Sequence, residues 1–175
     1  MNKSIFLVLA LVGFVSFAGF HYQQQQRYNH IYLEHSQNLA QNYLQAARAV
    51  AQSTSNNSQN SAIFSPEQLQ SLDFSAQQQP NQALALLNPD HETGDFRRDF
   101  LIGMNFLEKN ELQQADLHLQ LVANQDCVLR DDARFLLALS ALRDQQPERA
   151  KKYLSPLTLA ENSFQQRAKN ILSQL

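Results

Sequence analysis

Tryptophan is absent from this chain, and glycine occurs only four times in 175 residues. Strand-dense folds draw on glycine for tight hairpin turns and bulges, so this scarcity argues against a β-rich architecture. The single cysteine, Cys127, excludes an intrachain disulfide. Beside Val128 and Leu129 it reads as a small core residue, not a nucleophile. No sign of charge prevails: 14 Lys and Arg stand against 16 Asp and Glu, a formal net charge of -2. That balance offers neither a basic field for nucleic acid nor an acidic tail.

Catalytic signatures are missing too. There is no HExxH, no Gly-rich phosphate loop and no GxSxG. His30 and His35 are five apart, the wrong spacing for one helical face. Asp90-His91-Glu92 reads as solvated loop charge, since a tight metal site needs three or four converging ligands. The pair Arg97-Arg98 reads as a solvated face or a partner contact. The expectation is therefore a protein with no catalytic, cofactor-binding or metal-binding residues.

What the chain does have is Leu, Ala and Gln in quantity, all good or neutral helix formers. An all-α fold follows. After the short, Lys3-bearing start comes an almost wholly apolar run, IFLVLALVGFVSFAGF. It has two readings. Ile5–Val15 can be the core of a signal peptide cleaved after Ser16-Phe17-Ala18. Residues 4–22 can also be a short membrane anchor, near the lower limit for about 30 Å of hydrocarbon. Either way Lys3 favours the cytoplasmic side, and the rest of the chain is expected beyond the membrane.

The polar stretch HYQQQQRYNH then runs into an expected amphipathic helix, 31–51. Tyr32, Ser36, Leu39, Tyr43, Ala46 and Val50 recur there at steps of three and four. Leu33, Ala40 and Ala47 also repeat by heptads, which leaves a weak coiled-coil seam open. QSTSNNSQNS has no apolar residue and reads as a flexible linker. Ser65-Pro66-Glu67-Gln68 has the form of a helix start with a capping box, and Pro80 opens another helix that ends near Pro89. The expected organisation is 1–22 anchor or signal, 23–52 tether and amphipathic helix, 53–62 linker, and 63–175 helical domain.

The last part carries a shared offset of thirty-five residues. Phe100 pairs with Phe135, Gly103 with Ala138, Ala115 with Ala150, Leu119 with Leu154 and Val122 with Leu157. Asn110 reads as a cap for the helix after the first turn, with Gln113 as its box partner. Pro147 opens the equivalent helix in the second unit. Asn162 or Ser163 caps a final one. Such a period marks a helix-turn-helix repeat, and an ordinary α-hairpin bundle is the plain alternative.

These residues resemble the tetratricopeptide repeat in a degenerate form. Gly103 and Ala138 match the small residue of that family's first helix; Ala115 and Ala150 match the small residue of its second. The family's early Trp is missing, with Asp99 and Arg134 in its place, and Cys127 and Asn162 stand where its terminal Pro would be. The match covers roughly 96–160. Ala83 and Leu87 suggest a third unit upstream, although its first helix is poor. The resemblance implies a short α-solenoid with Gly103, Ala115, Ala138 and Ala150 packing the repeats. It also implies a concave groove lined by Phe100, Met104, Leu107, Glu108, Phe135, Leu139, Leu142 and Arg143, some of which must be core in so short an array. The implied function is a non-enzymatic adaptor of the bacterial cell envelope that holds a protein or peptide partner, either anchored on the periplasmic side of the inner membrane or soluble in the periplasm. Two other readings stand beside it: a structural subunit oligomerising through helix 31–51, and a small all-α ligand-binding protein.

Overall fold

A computed structural model describes residues 3–54, 64–89, 94–159 and 162–175, with side chains in the first segment from 17 to 48. The described residues contain helices and no strand: α1 (Lys3–Ser36), α2 (Leu39–Thr54), α3 (Pro66–Ala76), α4 (Pro80–Leu87), α5 (Phe96–Glu108), α6 (Leu112–Ala123), α7 (Arg130–Arg143), α8 (Pro147–Leu157) and α9 (Gln165–Leu172). The all-α expectation holds. From α3 onward, each helix packs on the next in chain order, and α3 touches α5 as α5 touches α7.

Three hairpins, α3–α4, α5–α6 and α7–α8, are joined by the same turn. Gln78, Asn110 and Gln145 each adopt a left-handed conformation, with φ of 59°, 65° and 58°. The following N–H in each case reaches back five residues: Gln79 to the Phe74 carbonyl, Glu111 to Phe106 and Gln146 to Ala141, at 2.8–2.9 Å. This is the Schellman arrangement, which satisfies the last carbonyls of a helix and reverses the chain. Five residues after each left-handed position stands a buried alanine: Ala83, Ala115 and Ala150. Nine residues after it stands a buried leucine: Leu87, Leu119 and Leu154. Seven residues before it stand Ser71, Gly103 and Ala138, small in every case. The hairpin of α3 and α4 therefore obeys the same pattern as the two behind it, at a spacing of 32 residues instead of 35.

The small position has a steric reason. A Cβ at Gly103 would lie 2.6 Å from Leu119 Cγ and 3.2 Å from the Ala115 carbonyl oxygen. Helices α5 and α6 cross closely there, and the glycine is what permits it.

Ser65 caps α3 as its sequence indicates. Its Oγ accepts from Gln68 N at 3.2 Å, and Gln68 Oε1 accepts from Ser65 N at 2.9 Å. Asn110 does not cap α6, whose N-cap residue is Glu111, with no side-chain cap bond; the turn instead uses Asn110 as its left-handed residue. At the last helix Asn162 Oδ1 accepts from Phe164 N at 2.9 Å, just ahead of α9. Arg98 is not a free surface charge. Its guanidinium donates to the Leu87 and Asn88 carbonyls and closes the end of α4.

The expected single helix 31–51 is broken. Gln37 and Asn38 form a turn, with Asn38 left-handed at φ 61°, so α1 ends at Ser36 and α2 starts at Leu39. The heptad seam fails with it: Leu33 is 57% exposed, while Ala47 is buried in the core on the other side of the break. The apolar faces of the two helices enter one hydrophobic cluster with the hairpins, through Tyr28, Ile31, Tyr32, Leu39, Leu44 and Ala47. The linker 53–62 falls almost wholly outside the described residues, and Asp90-His91-Glu92 falls wholly outside them. Cys127 is half-buried and packs against the core.

Candidate functional site

In a stack of hairpins, the first helices line one face. Here those are α3, α5 and α7, and the chain's own N-terminal helices lie on that face. Helix α1 packs on α7, and α2 packs on α3. Tyr43 of α2 sets its ring edge-on to Phe100 of α5, centroids 5.1 Å apart, and donates its hydroxyl to Asp132 Oδ1 of α7 at 2.6 Å. Arg48 of α2 pairs with Asp73 of α3 at 2.6 Å. Arg143 Nη1 donates to Tyr32 Oη of α1 at 2.8 Å and to the Leu107 carbonyl at 2.9 Å, its guanidinium 4.6 Å over the Tyr32 ring. Arg167 of α9 lies over the Phe135 ring and donates to the His35 carbonyl.

The electrostatics follow from this covering. Burial raises the Tyr43 hydroxyl well above its ordinary pKa, and the Asp132 charge adds to that, so the phenol stays a donor. Burial also raises Asp132, against the stabilising bond from Tyr43. Burial lowers His35, which keeps its imidazole neutral at physiological pH. Burial lowers Arg167 as well.

Six of the eight groove residues inferred from the repeat resemblance are therefore core. Phe100, Phe135, Leu139 and Leu142 are fully buried; Met104 and Leu107 are 5% and 3% exposed. Phe100, Phe135, Leu139 and Leu142 cannot line an open groove while α1 and α2 cover them. Glu108 is exposed and Arg143 half-buried. Ala115, Ala138 and Ala150 are fully buried, and Gly103 sits at the close crossing of α5 and α6.

A cleft of about 360 Å³ lies open where the α1–α2 turn meets the ends of α3, α5 and α7. Gln37 and Asn38 border it on one side and Gln78 on another; Met104, Glu108 and Arg143 come from the repeat helices. The size lies at the small end of the range for ligand pockets, roughly 300–1,000 Å³. Partial enclosure raises the Glu108 carboxyl above its ordinary pKa. Four of the eight inferred groove residues meet here, Met104, Leu107, Glu108 and Arg143; Phe100, Phe135, Leu139 and Leu142 do not. The contribution of Tyr32, Gln37 and Asn38 was not legible from the repeats, because it comes from the covering helices.

No protein-family model, curated protein or solved structure matches the chain. Among the described residues no cluster of three His, Cys, Asp or Glu could hold a metal ion. Among them also, no helix is long and apolar enough to cross a membrane. Most of the apolar run near the start, 5–16, belongs to α1, but its side chains lie outside the described residues.

Proposed function

We propose that this protein is a non-enzymatic adaptor of the bacterial cell envelope, a short tetratricopeptide-like array that holds a protein or peptide partner. The observation that carries the reading is the thrice-repeated hairpin, with one turn geometry and one pattern of small and large buried residues. Stacks built this way present extended surfaces suited to chains, not enclosed reaction chambers. The partner site is the cleft at the ends of α3, α5 and α7, where Arg143 and Glu108 supply charges of opposite sign over an apolar floor. Such flanking charges select among partners more than they add affinity.

Lys3 and the apolar run that follows support attachment to the inner membrane, with the helical domain on the periplasmic side. The uninterrupted course of α1 from Lys3 to Ser36 favours a retained anchor over a cleaved signal. A covering function for α1 and α2 also leaves little apolar face of the 31–51 segment for self-association.

Crosslinking in intact membranes tests the adaptor. A heterologous product that weakens when Arg143 and Glu108 are exchanged for Ser supports it; a ladder of this chain alone overturns it. A periplasm-active reporter fused after Leu175 tests the sidedness, and activity from a cytoplasmic reporter alone refutes it.

A further inference from the structure

His35 is the last residue but one of α1. It is 7% exposed, and its Nε2 is buried with no hydrogen-bond partner. The next three residues, Ser36, Gln37 and Asn38, form one wall of the cleft. That wall therefore hangs on the docking of a buried imidazole. Arg167 of α9 fixes the backbone at the same place. It donates to the His35 carbonyl while its guanidinium lies 4.5 Å over the Phe135 ring of α7.

A neutral imidazole carries one donor and one acceptor, whereas its cation carries two donors. Protonated in place, His35 holds a buried charge with Nε2 short of an acceptor, and both are costly. The surrounding charges do not relieve this. Arg167 is itself a cation. Glu34 favours the charged form, but its side chain is 53% exposed and water weakens its effect. Burial outweighs both neighbours and lowers the imidazole. From α7, Arg143 brings a further cation against Tyr32, one turn earlier in α1. Tyr43 of α2 and Asp132 of α7 bond to each other, and burial raises both, so acid leaves that bond in place.

We infer that His35 is a proton-operated latch: its protonation frees the end of α1 from α7 and α9 and loosens the 36–38 wall of the cleft, so that capture of a partner there weakens in acid. The folded chain binds fewer protons at this site than the unfolded one. The latch is therefore shut above about pH 6.5 and yields as pH falls below it. Tyr43 keeps its bond to Asp132 in acid, so α2 stays seated while the end of α1 moves, and the turn at Gln37 and Asn38 is the hinge between them. The effect on capture rests on the cleft being the partner site, as proposed above; the latch itself does not.

The five histidines of the full chain can be followed by NMR in detergent micelles, with His35→Gln assigning its imidazole. Between about pH 8 and about pH 5, a span that brackets the ordinary histidine value, His35 is expected to titrate low. The backbone amides of Ser36, Gln37 and Asn38 should shift with the same midpoint. Tyr32→Trp, alone in a chain without tryptophan, should become about twofold or more open to acrylamide quenching over that span. Adding His35→Gln should abolish the rise. An imidazole that titrates at or above about 6.5 overturns the latch. So does one that titrates low while the amides and the Tyr32→Trp emission stay unchanged. Crosslinking at both ends of the pH range separates this inference from the partner site. A heterologous product equally strong at both, still weakened by exchange of Arg143 and Glu108, refutes the gating of capture and spares the partner site. A wall that loosens in acid while this chain crosslinks only to itself supports the latch and removes the partner site.

Discussion

Tyr43 donates its hydroxyl to Asp132 at 2.6 Å across 89 positions of the chain. That bond ties α2 to the start of α7. Tyr43→Phe removes the donor and leaves a largely buried carboxylate short of one partner. A bond to a charged group contributes about 1.5–3 kcal/mol, and the melting temperature should fall accordingly.

The same pair sets a pH dependence. The folded chain holds the Asp132 carboxyl above its unfolded pKa, so the folded state keeps its proton to higher pH. Its stabilising contribution is full below about pH 4 and is lost as pH rises through the raised value. Asp132→Asn mimics the protonated form and still accepts from Tyr43. Denaturant titrations of the two proteins should coincide in acid and diverge above it, with the variant more stable at pH 7. A variant less stable at pH 7 than at pH 4, relative to the parent, contradicts the sign.

Gly103→Leu should cost on the order of 1–3 kcal/mol through overpacking at the α5–α6 crossing, because Leu119 and the Ala115 carbonyl already occupy the space. Gln114→Leu, on the exposed side of α6, should stay within about 0.5 kcal/mol of the parent. Equal melting temperatures for the two variants would dispose of the close crossing.

Met104→Ser combined with Leu139→Ser should disrupt folding. Each change empties a buried site at about 2–5 kcal/mol, against a total stability of about 5–15 kcal/mol for a domain. Circular dichroism is expected to show lost cooperativity. A pair that melts like the parent but no longer captures a partner would place both side chains on an open surface.

The stretch 52–61 is the expected site of first cleavage in a limited digest, on composition alone. The pieces should stay together afterwards. Arg48 with Asp73, Tyr43 with Phe100 and Tyr32 with Arg143 all bridge the cut. Gel filtration that separates the pieces without denaturant would count against the shared core.

The repeats were legible because their signals are local. Gly103 and Ala138, or Ala115 and Ala150, announce themselves by one spacing. The upstream hairpin was harder to see, since Ser71 holds the small position and the spacing shortens to 32. The break at Gln37-Asn38 left no trace, because neither glycine nor proline marks it and the stripe of Tyr32, Leu39 and Tyr43 continues across it. The site was legible only in part. Glu108 and Arg143 follow from the repeat register, but Arg143 meets Tyr32 from 111 positions away. Nothing in a local pattern could report that α1 and α2 would cover the groove.

That covering has a thermodynamic meaning for any ligand of the first-helix face. A segment joined to the surface it occupies competes at an effective concentration in the millimolar range, whatever the protein concentration. A rival must displace it, so its apparent dissociation constant exceeds the intrinsic one by the inverse of the uncovered fraction. Dilution cannot relieve this competition. Only weakening the contacts of α1 and α2 with the hairpins can, as Tyr43→Phe does without touching the hairpins themselves.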